Sequence, residues 1–170
     1  EQGYQPFAMD PEEAYQRLRD AYDRGQDEAT RELLQSWEIE MEPCGAPVLR
    51  ELISQADLQH HGHSDVSTEN VPLVQLISFS GWGWGEEGTL IFVEQWPNWY
   101  LWDYIPSACE GFHLCGTDRG TRVYLEFSVI GHGTGCYVRY IDVYHLQTRK
   151  IEASYTTYGY EVYQDSGIQA

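Results

Sequence analysis

Two tryptophans set among glycines, in the run Gly81-Trp82-Gly83-Trp84-Gly85-Glu86-Glu87-Gly88, carry the clearest recognition chemistry in this sequence. Glycine leaves the backbone free and gives the neighbouring indoles nothing to pack under, so both rings are expected at the surface. A second aromatic group follows: Trp96, Trp99, Tyr100, Trp102 and Tyr104, with Asn98 and Asp103 among them. Flat apolar indole faces stack on sugar rings or anchor a protein partner, while nearby carboxylates and amides bond hydroxyls. The expected ligand-binding residues are Trp82, Trp84, Glu86, Glu87, Trp99 and Asp103. Alternate aromatics such as Trp96, Tyr100 and Trp102 are expected to fill a sheet core.

The same region holds acids that could act as a catalytic pair. Glu86 or Glu87 with Asp103 or Glu110 would supply the two carboxylates of a glycoside hydrolase. A chain with 27 acidic residues makes such pairs by chance, however. A glycan-acting hydrolase is therefore the alternative, and a non-catalytic binding or interaction domain the preferred reading. Nucleophilic catalysis finds less support. Ser80-Gly81 lacks the preceding glycine of a nucleophile elbow, and a pair of Cys136 with His132 or His145 competes with disulfide formation. The glycines at 81 to 88 do not have the offsets of a dinucleotide fingerprint, and no cofactor is expected.

Metal chemistry has two candidates. His60, His61 and His63 with Asp65 could converge on a divalent ion if Gly62 bends the chain, which would make the protein a metal-binding sensor or carrier. Cys109, Cys115 and Cys136 with His113 or His132 could form another site, but they lack paired C-x-x-C spacing. The four cysteines read more simply as two disulfides. Three pairings are open, and the preferred one joins Cys109 to Cys115 across a short loop and Cys44 to Cys136.

Composition bounds the partners. A formal charge of −17, with Lys150 the single lysine, repels phosphate backbones and anionic headgroups, so nucleic acid is not expected as a partner. Protein or carbohydrate ligands remain. No run of about 18 apolar residues is present, so no membrane span is expected. The even cysteine count in an acidic, tyrosine-rich chain favours an extracytoplasmic location: secreted, periplasmic or envelope-anchored. A chain that opens on Glu1 reads as a processed or excised piece of a longer one.

The elements that must position these residues follow from periodicity. Asp10-Pro11-Glu12-Glu13 starts a helix, with a capping acid, proline at the first turn and acids at the positive end of the dipole. Ala14, Leu18, Ala21 and Tyr22 form its apolar stripe. A second helix from about Asp27 presents Ala29, Leu33, Leu34 and Trp37, so the pair resembles one tetratricopeptide unit. A short third helix is expected from Pro47 to about Asp57, burying Val48, Leu49, Leu52 and Ile53. Residues 1–58 are thus a helical region, 59–70 an exposed His-rich loop, 71–164 an antiparallel sheet and 165–170 a frayed tail, all in one compact domain. The longest strand signal is a hairpin over Thr121–His145. Val123, Leu125, Phe127 and Val129 line one face of its first strand, and Gly131-His132-Gly133-Thr134-Gly135 forms its turn.

The run from Val129 to Leu146 resembles a Gly-Thr-Gly hairpin of extracytoplasmic bacterial proteins, and that resemblance implies an envelope location without implying an activity. The sheet as a whole resembles one or two propeller blades but is too short to close a ring. The expected fold class is α+β: a helical hairpin and a short helix packed on a mostly antiparallel β-meander, as a curved sheet or partial barrel. Edge strands near the C-terminus offer a template for a second copy, so a homo-oligomer is a further expected partner.

Overall fold

The computed structural model describes residues 6–24, 27–40, 49–56, 72–81, 87–130 and 136–160. Among them are two helices and two antiparallel sheets, an α+β arrangement dominated by strand. The chain divides into two compact units. The first holds the described residues up to 56 and those from Pro72 to Cys109, and the second begins at Glu110.

Helix α1 (Pro11–Asp23) begins as the sequence predicts. The Asp10 carboxylate accepts hydrogen bonds from the backbone N–H groups of Glu12 at 2.9 Å and Glu13 at 3.1 Å, satisfying two donors that have no partner within the helix. Pro11, Ala14, Leu18 and Ala21 recur at helical spacing and are buried. Helix α2 (Asp27–Ser36) buries Thr30 and Leu34 and then closes in a Schellman motif. The Ile39 N–H donates to the Leu34 carbonyl at 3.0 Å and the Glu38 N–H to the Gln35 carbonyl at 2.9 Å. Glu38 takes the left-handed conformation, φ 60°, where glycine is usual. The closure carries Trp37 and Ile39 into the same apolar cluster as Leu34.

The first sheet has the order β1-β5-β4-β3-β2, from β1 (Phe7–Ala8), β2 (Leu49–Ala56), β3 (Val74–Gly81), β4 (Gly88–Gln95) and β5 (Asn98–Ile105). Strand β2 corrects the third helix expected over 47–57. Leu49, Leu52 and Ile53 fit an apolar helix face, but antiparallel pairing of Leu52 with Phe79 and Ser54 with Ile77 gives the backbone of β3 a partner, and that tertiary demand overrides local propensity. One face of the sheet contributes Ile77, Phe79, Leu90, Phe92 and Leu101 to a cluster with Ala14, Leu18, Leu34, Trp37 and Ile39. The other face of β3 and β4, with Val74, Leu76, Ser78, Thr89, Ile91 and Val93, is buried as well. Burial on both faces accounts for the near-continuous apolar run of these strands.

Strand β5 carries one extra residue. Ile91 pairs with Asp103 and Phe92 with Leu101, leaving Trp102 as the bulge. Leu101 and Tyr104 are three residues apart yet both meet the helix-side cluster, which a regular strand with its period of two cannot arrange.

The strands expected as one meander fall into two sheets because the chain turns away after β5. The Thr89 hydroxyl is fully buried and meets three partners. It donates to the Ser107 carbonyl at 2.7 Å and accepts the Cys109 N–H at 3.0 Å. Ser78 Oγ lies 3.2 Å away and, since the one Thr89 proton is committed to Ser107, is the donor there.

The second sheet has the order β6-β7-β8-β9, from β6 (Gly111–Thr117), β7 (Gly120–Ile130), β8 (Cys136–His145) and β9 (Lys150–Tyr160). The hairpin expected over Thr121–His145 is the β7–β8 pair, with Val123 opposite Tyr144, Leu125 opposite Asp142 and Phe127 opposite Tyr140. The rings of Phe127 and Tyr140 stack at 5.0 Å. His145, weighed above as a partner of a nucleophilic cysteine, holds two turns together. Its Nδ1 accepts the Thr148 N–H at 3.2 Å, so the ring proton sits on Nε2 and donates to the Arg119 carbonyl at 3.2 Å. Gly120 between those turns has φ 110°, and a Cβ there would collide with the Gln147 amide.

Replacing Glu38 by glycine removes the cost of a left-handed side chain, so E38G is expected to raise stability by about 0.5–1 kcal/mol in denaturant unfolding. Thr89→Val keeps the shape but strands a buried hydroxyl, an amide and a carbonyl. It is expected to cost roughly 3 kcal/mol, whereas Thr89→Ser loses a methyl group and about 1 kcal/mol.

Candidate binding surface

Strands β4 and β5 are joined by a two-residue turn, Trp96-Pro97, with Gln95 paired to Asn98 and a cis peptide bond between Trp96 and Pro97. Trp96 is 86% exposed. Gln95, Pro97 and Asn98 are exposed beside it, and Glu94 is half-buried. The turn stands on hydrogen-bonded backbone. β4 pairs with β3 and β5 on its two sides, and the Glu94 N–H donates to the carbonyl of Leu73 at 2.9 Å. The indole is therefore a flat apolar platform flanked by the amide side chains of Gln95 and Asn98, three residues apart. That composition stacks on a sugar ring while offering donors and acceptors to its hydroxyls.

Trp96 was expected in the core. It precedes Pro97-Asn98, and a side chain within a tight turn lies beyond the last strand pair, where no neighbouring strand covers it. The Trp-Pro-Asn run was the signal. Tyr100 and Trp102, also expected in the core, are half-buried. Trp99 is half-buried against the helix-side cluster, and its carbonyl accepts the Met9 N–H at 3.0 Å.

Glu87 lies at the opposite end of β4 from this turn. Eight residues separate the two ends, roughly 26 Å. Glu87 is exposed, and its carbonyl accepts the Tyr104 hydroxyl at 3.2 Å. Asp103 is half-buried, and its Oδ1 accepts the Tyr104 N–H at 2.8 Å. Asp103 pairs with Ile91 and Trp99 with Glu94, on opposite faces of the sheet. The structure thus brings neither Glu87 nor Asp103 together with Trp99. Trp82, Trp84 and Glu86 lie outside the described residues.

The rings of Tyr104 and Phe79 lie near-parallel, 6.4 Å apart at 11°, above Gly88. A side chain at Gly88 would meet both rings, so only glycine fits beneath them. Burial pushes the Tyr104 hydroxyl up to about 12 from an ordinary 10, because the ring's surroundings disfavour the phenolate.

Cys109 and Cys115 are thiols, which corrects the bridge expected between them. The residues taken for a closed loop form strand β6, whose extension carries Cys115 along the sheet edge opposite Arg122 while the Cys109 N–H is held by Thr89. Cys44 and the side chain of Cys136 lie outside the described residues, as do His60, His61, His63, Asp65 and His132. Among the described residues no group of three or more His, Cys, Asp or Glu side chains is placed to hold a metal ion. Glu110, a candidate carboxylate, belongs to the second unit and accepts a hydrogen bond from Ser128. His113 lies 3.5 Å from Glu126 on the same sheet. Arg122 meets Glu152 at 2.7 Å. No helix among the described residues is long and apolar enough to cross a membrane.

The raised Tyr104 value fixes a sign. Its contribution to stability is complete below about pH 10 and is lost as pH rises toward 12, because the unfolded tyrosine ionises first. The ring is partly open to water, which limits the effect to the order of 1 kcal/mol. Native protein is expected to lose stability more steeply than Tyr104→Phe between those pH values, as measured by urea unfolding.

Comparison with models of known protein families, with curated proteins and with solved structures found no match for the chain.

Proposed function

We propose that the chain is a non-catalytic binding domain that presents Trp96 to a neutral carbohydrate. One observation carries this reading: a tryptophan 86% exposed at the tip of a hairpin whose backbone is hydrogen-bonded on both sides. An indole on a mobile tail would lose conformational freedom on binding, whereas one on a fixed turn has already lost most of it. The groups around the tip support a neutral ligand. Gln95 and Asn98 are amides, and Glu94 is the nearest charged side chain in sequence. An extracytoplasmic location belongs to the same proposal, supported by a composition with 13 tyrosines and one lysine.

Titration with neutral oligosaccharides of glucose and of N-acetylglucosamine, followed by calorimetry, tests the reading. Native protein is expected to bind one of these series. Trp96→Ala is expected to weaken that binding at least about tenfold, Trp96→Phe less, and neither to move the unfolding midpoint, because the ring contributes little to the core. Equal affinity in the native and Trp96→Ala proteins, or no binding to either series, would overturn the proposal.

A further inference from the structure

The second unit ends its sheet in a long exposed edge. Strand β9 pairs with β8 along one side, and among the described residues no strand pairs with its other side. Ile151 is 43% and Tyr155 61% exposed, and Lys150, Glu152, Ser154 and Thr156 are exposed as well. An edge of this kind presents a row of backbone donors and acceptors, and soluble proteins usually guard it with charge, proline or a bulge. Here the guards stand at one end. Lys150 and Glu152 are the strand's only charged residues, and the bulge in its ladder with β8 falls at Glu152. From Ala153 to Tyr160 the strand has no charge and no proline, and it pairs regularly with β8.

Charge identifies the occupant. The chain carries −17 overall, so two copies repel wherever their acidic surfaces meet. Strand β9 has one lysine and one glutamate, a net of zero, and is therefore a place where like copies can approach. A basic partner would be drawn instead to the acidic surfaces. We infer that β9 is a self-association edge: two copies pair antiparallel through β9 about a twofold axis near Tyr155. The two four-stranded sheets then become one continuous sheet of eight.

An axis at Tyr155, the middle of the strand, places Lys150 opposite Tyr160 and Glu152 opposite Tyr158, so no like charges face each other. Pairing over the whole strand would form about ten backbone hydrogen bonds between the two edges, since alternate opposed residues exchange two hydrogen bonds each. The twofold arrangement also consumes both copies of the edge, so association stops at the dimer.

Size exclusion with light scattering on the 170-residue chain tests this. At micromolar concentrations the native protein is expected at twice the 19.6 kDa chain mass. Tyr155→Lys sets two like charges near the axis and is expected to weaken the dimer at least about tenfold, with the unfolding midpoint of the monomer unchanged. Tyr155→Phe is expected to dimerise as the native chain does. Hydrogen exchange gives an independent reading, with the outward amides of β9 protected in the dimer and open in Tyr155→Lys. A native monomer would overturn the inference, and if its β9 amides were protected the chain's own residues would be the occupant. A dimer indifferent to Tyr155→Lys, or open-ended assemblies in place of a dimer, would overturn it equally.

Discussion

One hydroxyl governs where the first sheet ends. Thr89 has one proton and two lone pairs, and the structure uses all three: the proton for Ser107, the lone pairs for Ser78 and the Cys109 N–H. A strand buried on both faces has no water to satisfy a polar side chain, so this arrangement must be complete or be absent. Its completeness ties β3, β4 and the segment leaving β5 into one unit. The chain departs toward β6 from a fixed point, and Cys109 is drawn into the interior by its own backbone. The absence of a bridge to Cys115 is thus a consequence of hydrogen bonding at Thr89 and of strand extension at β6.

Local rules were legible in the sequence wherever a residue's role is set by its near neighbours. The start of α1 needs only Asp10-Pro11-Glu12-Glu13, and the pairing of β7 with β8 needs only their alternation and the turn between them. Roles set by distant partners were hidden. Leu49, Leu52 and Ile53 satisfy helix and strand patterns alike, and the open edge of β3 decides between them. Nothing in a succession of strand and turn signals says whether the next strand continues a sheet or begins another, because that depends on the Thr89 contacts across the fold. Cysteine counting failed for a related reason: six residues of separation close a bridge in a loop but not along a strand. Within the candidate site, the aromatic region was visible and its exposed member was not, since alternation alone assigns Trp96 to a strand when it belongs to the turn.

The unusual acidity of the chain has a structural counterpart. Acids are placed well at the start of α1, where Glu12 and Glu13 meet the positive end of the helix, but no basic residue balances the last turn of α1 or α2. In the second unit Arg122 is committed to local partners, Glu152 and the carbonyl of Arg119. Against that background the Trp96 turn and the outer part of β9 stand out for lacking charge. Trp96 in the one and Ser154, Tyr155 and Thr156 in the other are exposed, and both segments stand on hydrogen-bonded strands. Recognition at either would proceed through shape, stacking and backbone pairing, with long-range attraction playing little part.

The extra residue at Trp102 bears on how this fold can vary. Leu101 and Tyr104 reach the same side of the sheet only because the bulge shifts the strand's parity between them, and Tyr104 covers Gly88 only from that side. Loss of Trp102 alone would leave Leu101, Asp103 and Tyr104 opposite Phe92, Ile91 and Leu90 in a regular ladder, with the tyrosine still over the glycine. Straightening the strand with all its residues kept would instead turn the tyrosine to the other face and uncover Gly88. Across descendants of this sequence, β5 is therefore a segment that tolerates the loss of its one unpaired residue, with other changes of length confined to the connections around it.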